Sequence, residues 1–501
     1  MKAKQAFNPY LPSWEYIPDG EPHVFENRVY VYGSHDRFNA PIFCVNDYVC
    51  WSAPMDDLSD WRYEGVIYRK NQDPKNRLGL RLLFAPDVCR GADGRYYLYY
   101  AFDFMGIMGV AVCDTPAGKY QFLGHVHYPE GTVWGRKKGD QFPFDPGVLA
   151  DDDGRIWLYS GFYTPTPAFV TGFKKLRNDG GTVVELEKDM LTIKGEPKVI
   201  FPKEGPGSFP NHEFFEASSI RKDGDKYIFV YSSRHNHELC YAVSDRPDGG
   251  FSFGGTLVSQ GDLFLNGNED ERKGLNYLGN THGGLLNIGE DWYIFYHRQT
   301  NRHSYSRQAC AEKLVRSPDG SFRQAEVTSC GLNGGPLRGI GRYPAYIACN
   351  LWSRDGVGRY DCPTPRRAFA AHPYFTQTGK DQEGNGDQYI ANMRDGAVAG
   401  FKYFDIRGVK TVSVELSGTA EGEFLLSDTP DFQVVSARIP LKLTAGRMEF
   451  RASCILADGE RALYFKFCGV GSVDFHSFSL EEEKHEGKSI QRLLASEISG
   501  R

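Results

Sequence analysis

Five stretches in the first two thirds of the chain share one pattern, a polar turn followed by a run of almost wholly apolar or aromatic residues. They are Glu26–Ser34 (ENRVYVYGS), Asp93–Tyr100 (DGRYYLYY), Asp153–Ser160 (DGRIWLYS), Asp223–Tyr231 (DGDKYIFVY) and Gly289–His297 (GEDWYIFYH). The Asp-Gly and Glu-Asn punctuation predicts turns, and the Val, Ile, Tyr, Phe and Trp that follow predict strands. The copies start 60 to 70 residues apart, longer than a WD40 blade but enough for a four-stranded blade with long loops. Further strand signals, such as Gly109–Cys113 and Leu239–Ser244, follow individual copies. Long amphipathic helical patterns are missing between them, which argues against βαβ units. The pattern predicts an all-β chain whose first domain, residues 1–325, is a five-bladed β-propeller, with the repeated strand as the inner strand of each blade.

The pattern changes after residue 325. Residues 326–345 are Gly-rich (VTSCGLNGGPL) and read as a linker. Beyond them, short strands recur about every ten residues without the repeat, at Gly400–Phe404, Lys410–Leu416, Gly422–Leu426 and Ala462–Phe467. That spacing predicts a β-sandwich, jelly-roll-like, over residues 346–481. Residues 482–501 are a polar tail, a short helix or a frayed end. The opening, Phe7 to Asp19, is rich in Pro and aromatics and reads as an extended lead-in.

Composition narrows the function. Aromatics make up 14% of the chain, with 29 Tyr and 34 Phe, which suits both a β core and sugar binding. A net charge of -6 with no basic block argues against nucleic acid. No stretch approaches 18 apolar residues, so no membrane span is expected. The 11 cysteines include no CxxC pair and fall mostly in apolar runs, as reduced buried thiols do. The first residues, MKAKQAFNPYLPSW, show no apolar signal core. A cytoplasmic location is favoured, with a periplasmic or secreted one requiring that a leader was removed. The oligomeric state is left open.

Candidate chemistry lies in carboxylates upstream of predicted strands, where a propeller opens its central mouth. Asp19, in YIPDGEPHVF, precedes the first repeat. Asp145, in FPFDPG, precedes the third. Glu216, in HEFFEASSI, precedes the fourth. Each has aromatic or apolar neighbours, which raise the cost of ionisation and keep a carboxylic acid protonated near neutral pH. Asp-Gly and Asp-Pro are also ordinary turn formers. Glu216 in an apolar run has no such explanation, because an unpaired buried carboxylate is costly.

Taken together, these motifs resemble glycoside hydrolase family 43, five-bladed propeller enzymes that act on arabinose- and xylose-containing glycans with inversion. The likeness covers about residues 7–325. It rests on Asn8-Pro9 with Pro18-Asp19, on LFAPDV (83–88) with GRYYLYY, on FDP (144–146) with DDDG, on FFEA (214–217) and on GNTHGG (279–284). Phe84 stands where the family usually has Trp. The resemblance implies that Asp19 is the general base, Glu216 the general acid and Asp145 the group that tunes the acid's pKa. An inverting enzyme keeps its acid and base roughly 6.5–9.5 Å apart to admit one water. The family's Asp-Pro is here Asp19-Gly20-Glu21-Pro22. The ungapped register assigns the base to Asp19, and a gapped one assigns it to Glu21.

His282 matches the family's channel histidine, which implies calcium in the channel held through water, or a purely structural imidazole. His35, Asp36, Phe84, Phe144, Phe215 and Arg307 are wall residues by position. The insertions Pro129–Gln141 and Leu263–Lys273 are expected to close a pocket and favour exo action. The expected substrate is an oligo- or polysaccharide, cleaved by an α-L-arabinofuranosidase or β-xylosidase. An endo-arabinanase, a galactose-releasing member and a non-catalytic glycan-binding protein are the alternatives. Residues 345–481 resemble carbohydrate-binding module family 6, through YIANMRDGA (389–397), FKYF (401–404) and ALYFKFCGVG (462–471). Sugar binding there is left open, because such a domain can also be kept as structural support.

Overall fold

The computed structural model describes residues 4–482 apart from 362–364, 383, 385 and 445. The first sheet is β1 (Glu21–Phe25), β2 (Arg28–Tyr32), β3 (Tyr48–Pro54) and β4 (Arg62–Tyr68). The second is β5 (Leu83–Arg90), β6 (Tyr96–Phe102), β7 (Met108–Cys113) and β8 (Gln121–His125). The third is β9 (Gly147–Ala150), β10 (Ile156–Ser160), β11 (Gly180–Leu186) and β12 (Ile193–Pro202). The fourth is β13 (Phe214–Asp223), β14 (Lys226–Ser233), β15 (Glu238–Ser244) and β16 (Ser252–Ser259). The fifth has three strands, β17 (Leu285–Ile288), β18 (Asp291–Thr300) and β19 (His303–Leu314). All are antiparallel meanders, the blades of a propeller.

Side-chain alternation along the second strands joins the blades. In β2, Val29 and Val31 pack with Leu286 and Phe295 of blade five, whereas Tyr30 and Tyr32 pack with Leu83 and Leu98 of blade two. In β6, Leu98 and Tyr100 face blade one while Tyr97 and Tyr99 face blade three. β10, β14 and β18 continue the scheme, so each of the five blade junctions holds its own apolar cluster. The period of two is thus buried on both faces.

That explains one correction. The repeated strand is the second of each blade, not the inner one. The inner strands are β1, β5, β9, β13 and β17, which are shorter or more polar and crowd the axis. A Cβ on Gly147 of β9 would lie 2.7 Å from Ser218 O of β13, and one on Gly284, just before β17, would lie 2.3 Å from Glu21 Oε2 of β1. The strand enclosed by two neighbouring blades has the strongest apolar signal. The axial strands carry Glu21, Asp87 and Arg221 and read as mixed.

The extended lead-in lies along the outer edge of blade five. Asn8 Nδ2 donates to Ala311 O at 2.9 Å, and Tyr10 N to Ala309 O at 3.2 Å, covering backbone that a fourth strand would otherwise pair.

The C-terminal sheet comprises β20 (Leu337–Arg338), β21 (Gly341–Pro344), β22 (Asn350–Trp352), β23 (Tyr374–Thr376), β24 (Tyr389–Met393), β25 (Val398–Ile406), β26 (Val409–Ser427), β27 (Ala437–Leu443), β28 (Met448–Ser453) and β29 (Gly459–Glu482). It wraps as a sandwich around Phe401, Phe424, Phe465, Phe475 and Phe478. The long β26 and β29 pair along most of their length. Gly418 has φ 116°, and a Cβ there would meet Ser472 O at 2.5 Å, so this close pairing needs glycine. The stretch 326–345, read as a linker, contains β20 and β21, which pair with β25 and β29. Leu337 and Tyr343 enter the sandwich core. The expected tail lies almost wholly outside the described residues, with Glu482 ending β29.

The two domains share buried polar contacts. Lys402 of β25 reaches Asp262 of the propeller at 2.9 Å and Glu326 at 2.8 Å. Tyr16 donates to Gln377 at 2.6 Å. The Arg298 guanidinium lies 3.8 Å from the Phe375 ring centroid. Among the described residues no helix is long and apolar enough to cross a membrane, and the ten described cysteines are all free.

Candidate active site

A pocket of about 170 Å³ opens over the propeller axis. It is lined by Asp19, Asp145, Glu216, His282 and Arg307, by the rings of Phe43, Phe84, Phe104, Phe144, Phe162 and Phe215, and by Cys44, Ala85, Asn236, Asn280 and Asp361. The three carboxylates arrive on inner-strand starts of three blades. Asp19 precedes β1 with φ 58°, and Asp145 precedes β9 with φ 46°. Glu216 is the third residue of β13, between two register irregularities, and is followed by Ala217 at φ 69°. Left-handed backbone at non-glycine residues is strained, and here it recurs where the carboxylates enter the pocket.

Their surroundings differ. Arg307 of β19 is 2% exposed. It donates from Nη1 to Asp19 Oδ1 at 2.9 Å and grips Asp36 with Nε at 2.9 Å and Nη2 at 3.1 Å. Burial alone would raise the Asp19 carboxyl, but the charge of Arg307, with that of His282, holds it below its ordinary value. His297 is itself kept neutral. Burial first, then the Arg307 charge, lowers it to about 3. Its Nδ1 accepts from Asp19 N at 3.2 Å and its Nε2 donates to Asn280 O at 2.8 Å, which fixes the tautomer and the Asp19 backbone.

Among the described residues no cation is paired with Glu216, although the His282 and Arg307 charges oppose the shift from a distance. Burial, then the Asp145 charge, pushes its carboxyl well above the usual range. Asp145 is also raised, by burial first, although His282 and a hydrogen bond from Ala217 N at 3.2 Å oppose this. His282 lies between two acids, Nδ1 at 3.5 Å from Asp145 and Nε2 at 3.7 Å from Glu21. Burial disfavours the imidazolium, but Asp145 and Glu21 outweigh it and raise the His282 pKa.

Of the residues expected from the sequence, Asp19, Asp145, Glu216, Phe84, Phe144, Phe215, Arg307 and His282 line this pocket. His35 and Asp36 do not. His35 is buried against Glu15 at 3.0 Å and Asp47 O at 2.8 Å, and Asp36 faces Arg307 from behind. Both support the wall without reaching the pocket. Glu21 is fully buried in the channel with Arg221 at 2.8 Å and does not line the pocket. Neither insertion walls the pocket. Pro129–Gln141 closes on itself through Asp140, which accepts from Gly135 N and Lys137 N, and Arg272 and Lys273 border a separate cleft. The wall is aromatic instead. Phe43, Phe104, Phe162, Asn236, Asn280, His297 and Asp361 were missed. Asn280 stands in the GNTHGG motif, but the others carry no local signal.

The pattern of glycosyl hydrolases family 43 matches residues 18–322. The chain belongs to glycosyl hydrolases family 43. A xylosidase/arabinosidase of Thermoclostridium stercorarium is 51% identical over 484 residues, covering 95% of this chain and 99% of that protein. An arabinoxylan arabinofuranohydrolase of Paenibacillus polymyxa is 27% identical, over 94% of this chain and 72% of its own length. The family 43 fold recurs in the GH43_1 enzyme of Xanthomonas citri complexed with xylose, at 24% identity and a TM-score of 0.50 over 63% of this chain and 92% of that one.

Calcium in the channel of this family 43 chain would need six to eight oxygens. The nearest cluster is Glu21, His23 and Asp87. His23 already bonds Asp87 at 2.6 Å, and Arg221 already balances Glu21. These residues do not fit a direct calcium cage. Glu21 Oε1 and His282 Nε2 face each other at 3.7 Å and are buried without a hydrogen bond among the described residues, so a hydrated ion could meet them only through water.

Proposed function

We propose that this chain is an inverting, exo-acting glycosidase that releases terminal arabinofuranose or xylose from plant-type oligo- and polysaccharides. Asp19 is the general base, Glu216 the general acid and Asp145 the group that keeps the acid protonated. One observation carries the reading: a single pocket holds two carboxylates pushed in opposite directions, Asp19 down beside Arg307 and Glu216 up through burial and Asp145. Opposed carboxyl pKa values define acid and base assignments in glycosidases.

Asp19, ionised, takes a proton from water as the water attacks the anomeric carbon. Glu216, neutral, gives its proton to the departing oxygen, and the anomeric configuration inverts. The pocket's volume favours a single terminal sugar, since drug-sized ligands occupy roughly 300–1,000 Å³. Its aromatic wall suits the apolar face of a pyranose or furanose.

The C-terminal sandwich is read here as a carbohydrate-binding-module-like domain. A cleft of about 550 Å³ combines Trp352 and Phe432 with Arg354, Asp395 and Lys466, a mixture of stacking surface and hydrogen-bonding groups. Calcium enters this reading only as a hydrated ion beneath His282, and the proposed chemistry does not need it.

The test is turnover of 4-nitrophenyl α-L-arabinofuranoside and β-D-xyloside, arabinan, arabinoxylan and galactan, with NMR of the first anomer released. Cleavage of none of them, or release with retained configuration, sinks the reading. Glu216→Gln is expected to abolish turnover and keep sugar binding, and wild-type rates in that variant would remove Glu216 from the acid role.

A further inference from the structure

The pocket is not completed by the propeller alone. Asp361 lines it and belongs to the C-terminal domain. Residues 358–361 run alongside Leu278 of the propeller, with Leu278 N donating to Gly358 O at 3.1 Å and Tyr360 N to Leu278 O at 2.7 Å. Arg359 then fixes the Asp361 side chain. Its Nε donates to Asp361 Oδ1 at 3.1 Å and its Nη2 to Oδ2 at 2.9 Å, while Nη1 holds Glu271 at 2.9 Å and Nη2 also reaches His235 O at 2.9 Å. A carboxylate gripped from one side by a planar fork keeps lone pairs free on the other. Its side chain is 24% exposed, so those lone pairs are open to a ligand.

Asn236 stands next to it. This residue sits in the β14–β15 turn with φ 63°, and its Nδ2 is 3.5 Å from Asp361 Oδ2. Its Oδ1 is buried and has no hydrogen-bond partner among the described residues. Unpartnered buried acceptors are costly unless a ligand satisfies them. Asn236 stands on blade four, the blade of Glu216, which pairs in register with Ser232 of β14, and Asp361 reaches the same side from the C-terminal domain. That is the side on which an acid protonates a leaving group.

We propose that Asp361 and Asn236 form a specificity site for the sugar unit on the leaving side of the scissile bond, binding its hydroxyls. The proposal rests on the acid role of Glu216 given above. It gives the C-terminal domain a part in substrate selection at the pocket itself.

The test uses the full chain in the Glu216→Gln background, which is expected to hold sugar without turnover. Xylotriose, an arabinofuranosyl-substituted xylotriose and free xylose are titrated by calorimetry against this protein with and without Asp361→Ala. The expected result is about a tenfold loss of affinity for the oligosaccharides, the scale of one charge-assisted hydrogen bond, with xylose unchanged. In the active protein, Asp361→Ala should lower kcat/KM on the oligosaccharides by about tenfold and leave 4-nitrophenyl glycosides, whose leaving group has no sugar hydroxyls, within about twofold. Equal losses on both ligand classes, or none on either, overturn the proposal. A wild-type protein that turns over no substrate would sink the catalytic reading, and the binding titrations would still judge this one.

Discussion

Asp19 and Glu21 lie two residues apart on the same approach to the axis. Each is buried and paired with an arginine, Arg307 at 2.9 Å and Arg221 at 2.8 Å. Each is held below its ordinary pKa, since burial raises it but the arginine and nearby histidines prevail. Electrostatics therefore does not distinguish them. Access does. The side chain of Asp19 lines the pocket beside Glu216, whereas that of Glu21 points into the channel between Ser219, Arg221 and His282. An ionised carboxylate becomes a base only where water and substrate can reach it. Of the pair that the two alignment registers exchange, one residue lines the pocket and the other is buried in the channel, and the proposed base is the accessible one.

The strongest test of that comparison is the pair of amide variants. Asp19→Asn should lower kcat by about a hundredfold to ten-thousandfold, the usual worth of a general base, with little change in thermal stability. Glu21→Gln should do the opposite, keeping kcat within severalfold but destabilising by about 3 kcal/mol, because Arg221 loses its buried counter-charge. Steady-state kinetics and denaturant titration measure both, and a dead Glu21→Gln beside an active Asp19→Asn would reverse the assignment.

Next in size is Arg307→Ala. It strips the cation from Asp19 and from the fully buried Asp36 at once, so stability should fall by about 3–5 kcal/mol. The Asp19 pKa should rise, because burial then loses its largest opponent. The acidic limb of the pH–rate profile should move to higher pH, and an unmoved limb would dissociate Asp19 from it.

A smaller shift is expected for Asp145→Asn. Removing this charge leaves Glu216 raised by burial but without its largest like-charge neighbour. The alkaline limb of kcat/KM, where Glu216 deprotonates, should then move to lower pH. An unchanged limb would take Asp145 out of the tuning role. Glu216→Gln should also be slightly more stable than wild type near neutral pH. A carboxyl whose pKa is raised on folding binds more protons in the folded chain than in the unfolded one, so its contribution falls as pH rises above about 4.3. The smallest effect is expected from EDTA, which should leave kcat within about twofold because the channel cluster of Glu21, His23 and Asp87 does not fit a direct calcium cage.

Much of this protein was legible locally. Alternating aromatic strands such as YYLYY and KYIFVY predicted β-structure, and their five recurrences predicted the blades. Glu216 stood out as a carboxylate in an apolar run. The misplacement of the repeated strand had a physical cause, since burial between two blades produces a stronger apolar pattern than proximity to the axis. His35 and Asp36 also failed as wall residues. They lie in the loop after β2, where His35 turns to Glu15 and Asp36 to Arg307.

The sequence by itself determined the β class, the blade number, the second domain and the three acids of the pocket, because each depends on residues within one strand or turn. Only the tertiary structure placed Asp19 in the pocket and Glu21 in the channel, brought Arg307 to Asp19 from 288 positions away, and set Asp361 of the second domain at the pocket. Those results depend on which side chains share a small volume after the blades close, and the ionisation of a buried carboxyl is set by that volume rather than by its neighbours in the chain.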